Sequence, residues 1–162
     1  MGTMLCVIVL GIVSAFAQVS YSVEQRRDMV MQPAYLANWV GADFFTRSSI
    51  EKDLSISPVT FQKGIVFYDL PKATVGLKFM GVKNVCVEFS FWLFGTEALD
   101  FKDNLVKYGY TLKSEKEMII TDEGGSSKGI LQVYKFRLRD GYSTCEVLSG
   151  LYTSFTFYRS QK

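Results

Sequence analysis

The sequence predicts an α+β fold in which an antiparallel sheet of about six strands packs against one helix. From Val59 onward, apolar residues recur at every second position, which is typical of strands with one buried face. Turn-length connections separate these segments, and short connections imply antiparallel pairing. One segment, Glu97–Tyr108, instead has apolar residues at helical spacing and would cover the sheet as a second layer. A small β-barrel with this helix at its side is the alternative.

The Glu97–Tyr108 helix has agreeing signals at both ends. Thr96 is a suitable N-cap, and Glu97 and Asp100 place negative charge in the first turn, where the helix dipole favours it. Gly109 follows the last turn, at the point where a left-handed residue commonly ends a helix. The predicted buried stripe consists of Ala98, Phe101, Leu105 and Tyr108.

A short helical region is predicted before the sheet. Residues 22–32 and 34–45 both have apolar side chains at helical spacing, and Pro33 between them would end or kink the first segment. Gly41 weakens the prediction for the second segment. Residues 46–58 are mostly polar and are predicted to form a connection.

The strands differ in how much of their surface is apolar. Residues 85–94 are the most apolar, which predicts a central strand covered on both sides. Residues 122–129 are rich in Gly and Ser and predict a flexible hairpin loop. In the last strand, Leu151, Phe155 and Phe157 are predicted to face the core. The alternation in residues 85–94 predicts one face with Val85, Val87, Phe89, Phe91 and Leu93, and another with Cys86, Glu88, Ser90, Trp92 and Phe94.

Residues 1–17 predict a cleaved secretory signal peptide, which leaves residues 18–162 as a single globular domain. Residues 5–13 are continuously apolar, and Ala15 and Ala17 match the small-x-small pattern before a cleavage site. The predicted location is the periplasm or the extracellular space, with no membrane span after cleavage. Because no charged side chain precedes Glu24, an uncleaved N-terminal membrane anchor is the alternative.

The charge balance and the absence of histidine exclude several classes of function. The chain has 18 basic and 16 acidic side chains and no block of five like charges, so a nucleic-acid partner, which needs a concentrated basic surface, is not expected. Without histidine, Ser-His-Asp and Cys-His catalytic systems are excluded, and the commonest zinc ligand is missing. We therefore expect no metal, no cofactor and a non-enzymatic protein.

Two cysteines, Cys86 and Cys145, remain once the leader with Cys6 is removed. In an exported protein an even number of cysteines favours a disulfide. The alternative is two buried free thiols, which behave as small apolar side chains.

Two sets of surface side chains are candidate contact regions. Lys135, Arg137 and Arg139 alternate along a strand and would form a basic stripe for an anion or an acidic partner, with a solvated outer face as the alternative. An aromatic excess near both ends of the domain could form a surface for sugar, peptide or lipid, with burial in the core as the alternative. The aromatic candidates are Tyr35, Trp39, Tyr152 and Tyr158.

Glu88 is a candidate buried acid, because it lies in the middle of an apolar strand. Burial would raise its pKa and suit it to acid or base catalysis. A hydrolase would need a second carboxylate, and Glu146 is expected on the opposite face from Cys145, which weakens it as a companion. Pairing of Glu88 with a basic side chain, or partial exposure, is the alternative.

These observations predict an exported non-enzymatic binding or assembly module. Its expected partner is a protein or an envelope polymer. Two alternatives remain open at this point: a carboxylate-dependent hydrolase centred on Glu88, and a carrier of an apolar ligand.

Overall fold

The computed structural model describes residues 21–122 and 125–160, which form an open antiparallel sheet of eight strands with four helices. The helices are Val23–Val30 (α1), Pro33–Trp39 (α2), Arg47–Leu54 (α3) and Gly95–Tyr108 (α4). The strands are Thr60–Gln62 (β1), Ile65–Asp69 (β2), Thr74–Met80 (β3), Val85–Leu93 (β4), Thr111–Asp122 (β5), Gly125–Leu138 (β6), Gly141–Ser149 (β7) and Thr153–Ser160 (β8). The predicted α+β class is confirmed. The sheet is not closed, so the barrel alternative is wrong.

The sheet is assembled from two meanders that meet in its centre. Its spatial order is β1-β2-β3-β4-β8-β7-β6-β5, and every neighbouring pair is antiparallel. After β4, helix α4 carries the chain to the far edge, and β5 to β8 then return one strand at a time. The last strand pairs with β4, where Phe91 lies opposite Phe155.

The core lies on one face of the sheet, between the sheet and the helices. Phe101 of α4 packs edge-on against Phe91 at 5.1 Å and Phe155 at 4.7 Å between ring centroids. Buried side chains of α1, α2 and α3, among them Val30, Leu36 and Ile50, belong to the same apolar cluster. The fold therefore has two layers. The prediction that β4 is covered on both sides is wrong, because among the described residues the helices lie on one side alone.

Helix α4 is the best-predicted element. It begins at Gly95, slightly earlier than predicted, with Phe94 rather than Thr96 as its N-cap residue. Gly109 has φ of 116° and ends the helix in the left-handed region, and the Tyr110 N–H donates to the Leu105 carbonyl at 3.1 Å. This is the predicted glycine ending.

The N-terminal region contains one more helix than predicted. Ser22 caps α1 with a capping box, and Pro33 begins α2 at its first position, where a missing N–H costs nothing. The predicted connection 46–58 is instead largely helix α3. Thr46 and Ser49 cap that helix reciprocally, at 3.3 Å and 3.0 Å between side-chain oxygen and backbone nitrogen.

The structure differs from the prediction at two hairpins, and the first of them adds a strand. Lys63 and Gly64 both have positive φ, 51° and 81°, and turn β1 into β2, which the sequence pattern did not separate. The prediction of a loop over residues 122–129 is also wrong in part, because β6 already begins at Gly125. From Gly125 to Lys135, β6 pairs with β5.

The C-terminal hairpin confirms two of three predicted core positions. Phe155 and Phe157 of β8 are fully buried. Leu151 lies in the turn between β7 and β8 and is 84% exposed, because the chain reverses there before the strand begins.

A β-bulge in β4 changes which side chains share a face. Lys78 pairs with Glu88 and the next residue, Phe79, pairs with Cys86, so Val87 is the extra residue of β4. As a result Cys86 faces the core together with Phe89, whereas Glu88 remains on the opposite face. The predicted alternation holds from Glu88 to Leu93 and fails before it.

The two cysteines are free, buried thiols in this structure. Cys145 is on β7 and Cys86 is on β4, and β8 lies between these strands. Two strand spacings are about 10 Å, which exceeds the distance of about 7 Å that a disulfide can bridge between Cα atoms. The predicted disulfide therefore disagrees with this fold, and burial raises the pKa of both thiols.

The predicted signal peptide, residues 1–17, lies outside the described residues. None of the helices within 21–122 and 125–160 has the length and apolar character needed to span a membrane.

Candidate binding surface

The helix-free face of the sheet, called the open face below, is the main candidate surface. Its side chains alternate with the core residues along each strand, and most of them are half-buried. Along the described strands no helix covers them. The face is made of Ile65, Phe67, Lys78, Glu88, Ser90, Trp92, Leu131, Val133, Lys135, Arg137, Tyr142, Glu146, Leu148, Ser154, Thr156 and Tyr158.

An aromatic pair lies at one side of the open face. The rings of Phe67 on β2 and Trp92 on β4 are nearly parallel, with 14° between their planes and 6.3 Å between centroids. The intervening strand β3 has Gly76 beside them, opposite Phe67 and Ser90. A Cβ atom at Gly76 would lie 3.1 Å from Phe67 Cε1 and 3.0 Å from Ile65 Cγ2. Because Gly76 has no side chain, Phe67 and Ile65 can lie close over β3.

A polar cluster lies further along the same face, on β3, β4, β7 and β8. The Tyr158 hydroxyl donates to Glu146 Oε1 at 2.7 Å, and burial together with this hydrogen bond raises the pKa of Tyr158 to about 12. Glu88 lies opposite Tyr158 on one side and opposite Lys78 on the other. Because of the bulge, Glu88 and Glu146 share the open face, with Tyr158 on the strand between them.

Glu88 is half-buried, not enclosed. This partial exposure matches the alternative left open in the sequence analysis better than a buried acid does. Glu146 already accepts the Tyr158 hydrogen bond. A hydrolytic pair needs two carboxyl groups at a defined separation with room for substrate between them, and the Tyr158 side chain occupies that position.

The predicted basic stripe is divided. Lys135 and Arg137 lie on the open face, whereas Arg139 is in the turn that follows β6. The Lys135 ammonium is 5.4 Å from the centroid of the Tyr142 ring, which suits a cation–π contact. Lys135 therefore covers an aromatic neighbour, whereas Arg137 is exposed on this face, as is Lys78 on β3.

The predicted aromatic surface is also divided. Tyr35 and Trp39 lie on α2, with ring centroids 4.8 Å apart, and Trp39 packs further against Phe45 at 5.6 Å. Tyr158 lies on the open face, and Tyr152 lies in the exposed turn after β7. These side chains do not form one surface. The two rings that come together on the open face are Phe67 and Trp92, and this pair could be predicted only if the sequence revealed that one side of the sheet is uncovered.

A second candidate is a cleft of about 580 Å³ on the helix side. It lies between α1, α2 and α4, with Leu93 and Phe101 in its lining. Three carboxylates also line it, from Asp28, Glu97 and Asp100, and Lys72 pairs with Asp28 at 3.4 Å. The cleft thus combines an apolar part with an excess of negative charge.

The described residues contain no group of three side chains arranged to ligate a metal ion. When the chain is compared with protein-family models, with characterised proteins and with solved structures, no significant match is found. The function must therefore be argued from the surfaces of the molecule.

Proposed function

We propose that the domain is an exported, non-enzymatic binding module that docks a partner protein on the open face of its sheet. The observation that carries this proposal is the half-buried apolar set of that face, Phe67, Trp92, Leu131 and Leu148, of which the last three lie with Ser154 in one row across the strands near the turn between β7 and β8. Monomeric proteins rarely leave a contiguous apolar patch of this kind without a binding role.

The chemistry of the open face favours a protein over an envelope polysaccharide. Aliphatic side chains such as Leu131, Val133 and Leu148 pack against other apolar side chains and offer little to a hydroxyl-rich sugar. Trp92 itself is of a residue type that is enriched in the buried centres of protein interfaces. The charged side chains, Arg137 and Glu88 among them, lie at one end, where they can orient the partner.

Site-specific photo-crosslinking tests this proposal in cells that naturally produce the protein. A photoreactive amino acid at Leu148 should give a discrete protein adduct, whereas the same group at Val82, a fully exposed turn residue after β3, should not. With the adduct partner purified, Trp92→Ala should weaken binding by about 2 kcal/mol, or roughly 30-fold. Identical adducts at both positions, or an adduct that carries only glycan, would contradict the proposal.

Export rests on the composition of residues 1–17. Mass spectrometry of the protein isolated from its native compartment should give a chain that begins at Gln18. A chain that retains Met1 in a membrane fraction would support the anchor alternative.

The cleft supports a second candidate function, that of a carrier. A ligand with an apolar body and a cationic group would match Leu93 and Phe101 together with the carboxylates of Glu97 and Asp100. Native mass spectrometry of gently purified protein tests it. A co-purifying amine that is lost in Asp100→Asn, but kept in the exposed control Asp103→Asn, supports the carrier, and a bare protein mass in both counts against it.

A further inference from the structure

Strand β5 is a long exposed edge of the sheet. It is 12 residues long, whereas β1 at the other edge has three. Its residues from Thr111 to Ile119 are all exposed. Because β5 pairs with β6 alone, half of its backbone N–H and C=O groups point away from the sheet, where they can pair with a further strand.

The far end of β5 projects beyond the rest of the sheet. Strand β7 pairs with residues Ile130–Leu138 of β6. Strand β5 also pairs with the earlier part of β6, back to Gly125. The hairpin arm that results carries exposed apolar side chains. Ile119 is 70% exposed and Ile130 is 42% exposed.

Charge is distributed unevenly along this edge. Lys113, Glu115, Lys116 and Glu117 lie within its first seven residues, and charged side chains are a common protection of edges against pairing. Residues 118–121 (Met-Ile-Ile-Thr) carry no charge and include three β-branched side chains. These residues favour strand pairing, so the unprotected half of the edge is its projecting arm.

We propose that two copies of this chain associate through antiparallel pairing of their β5 edges, centred on Ile119, into one continuous sheet. A two-fold axis perpendicular to the sheet relates the copies and keeps the helices of both on the same side. In this register Met118 lies opposite Ile120 of the second copy and Glu117 lies opposite its Thr121, so no like charges meet within residues 117–121. A register centred on Glu115 or Glu117 would instead place two glutamates against each other, which is unfavourable.

Cysteine scanning tests the register in a Cys6→Ser chain. Cys86 and Cys145 are fully buried and should not react without unfolding. Ile119→Cys lies at the two-fold axis and should give a disulfide-linked dimer under mild oxidation. Glu117→Cys and Thr121→Cys should each give several-fold less dimer alone and regain it when mixed, since each lies opposite the other. Equal yields at the three positions would overturn the register.

Sedimentation of the unmodified chain tests the association itself. The proposal expects reversible dimerisation that Ile119→Lys weakens by at least about tenfold, because two lysines would meet at the axis. Val82→Lys, a charge at an exposed apolar residue of a distant turn, should leave dimerisation unchanged. Circular dichroism establishes that both variants are folded. A wild-type chain that remains monomeric at about 200 µM, well above the micromolar range of weak specific contacts, overturns the proposal.

Discussion

At the scale of single residues, the open face depends on a glycine that allows close packing. Gly76 is buried on β3, with Phe67, Ile65 and the Ser90 hydroxyl over it. The Ser90 hydroxyl also donates to the Gly76 carbonyl at 3.0 Å. The sequence predicts strand β3 but not this role of its glycine, because the role arises from side chains of two other strands.

Substitution of Gly76 tests the packing directly. Gly76→Ala should lower the free energy of unfolding by about 1 kcal/mol, because overpacking costs about 1–3 kcal/mol and the lower chain entropy of alanine offsets part of that. Chemical denaturation measures the change. Phe67→Ala in the same chain should relieve part of the cost, since it removes the ring beside the new methyl group while Ile65 and Ser90 remain. A stabilising effect, or strict additivity of the two substitutions, would contradict this packing.

At the scale of elements, the sequence predicts best where the signals are local. Helix α4 carries its buried stripe and its Gly109 ending within one segment. Helix α3 escaped prediction because Ile50 and Leu54 are its only buried apolar residues, which is too short a pattern to distinguish from a polar connection. The bulge at Val87 could not be predicted either, since it exists only through pairing of β4 with β3.

Helix α3 is joined to the sheet by a hydrogen-bonded glutamate. Glu51 accepts from Arg47 Nε and from the Tyr68 hydroxyl, both at 2.8 Å, and Tyr68 is fully buried on β2. Glu51→Ala leaves that hydroxyl without an acceptor and should cost about 1–3 kcal/mol of unfolding free energy. Glu51→Gln keeps an acceptor and should cost less. Equal losses in the two variants would show that Tyr68 does not depend on this contact.

The same contact predicts that the stability of the fold decreases at acidic pH. The hydrogen bond from Arg47, with a further one from Tyr68, lowers the pKa of Glu51 in the folded protein. A lowered pKa stabilises the fold above the pKa of the unfolded chain, and this contribution is lost as the pH falls through the folded value. Urea denaturation should therefore give the wild type a larger free energy of unfolding than Glu51→Gln at neutral pH. This difference should become smaller at about pH 3. An undiminished difference at about pH 3 would contradict a stabilising role for the ionised Glu51 side chain.

At the scale of the whole molecule, burial of tyrosines on both faces of the sheet predicts sensitivity to alkali. Burial raises the pKa of Tyr68, Tyr110 and Tyr158, the last to about 12. Unfolded tyrosines ionise near about pH 10, so stability should fall as the pH rises from there towards the folded values. Tyr158→Phe should reduce that slope, and Tyr152→Phe at an exposed turn serves as the control. An unchanged slope in Tyr158→Phe would contradict its burial.

Which faces of the sheet are covered by helices could not be predicted from the sequence. The apolar character of β4 predicts a covering layer on both of its faces, and this prediction is wrong because a side chain can be apolar on a face that no helix covers. Phe67 and Trp92 can therefore be placed on strands from the sequence, but no function follows for them from that placement. Their exposure follows from all four helices lying on the other side, which is a property of the complete chain.

The central claim is that the open face is occupied by a partner protein in the native compartment. Covalent footprinting labels accessible side chains, so it measures this occupancy even when the partner is unidentified. We expect peptides with Trp92 and Leu148 to be labelled several-fold less in the native compartment than in the purified protein, and the peptide with Val82 to be labelled equally in both. Equal labelling of Trp92 and Leu148 in the two samples would contradict the account.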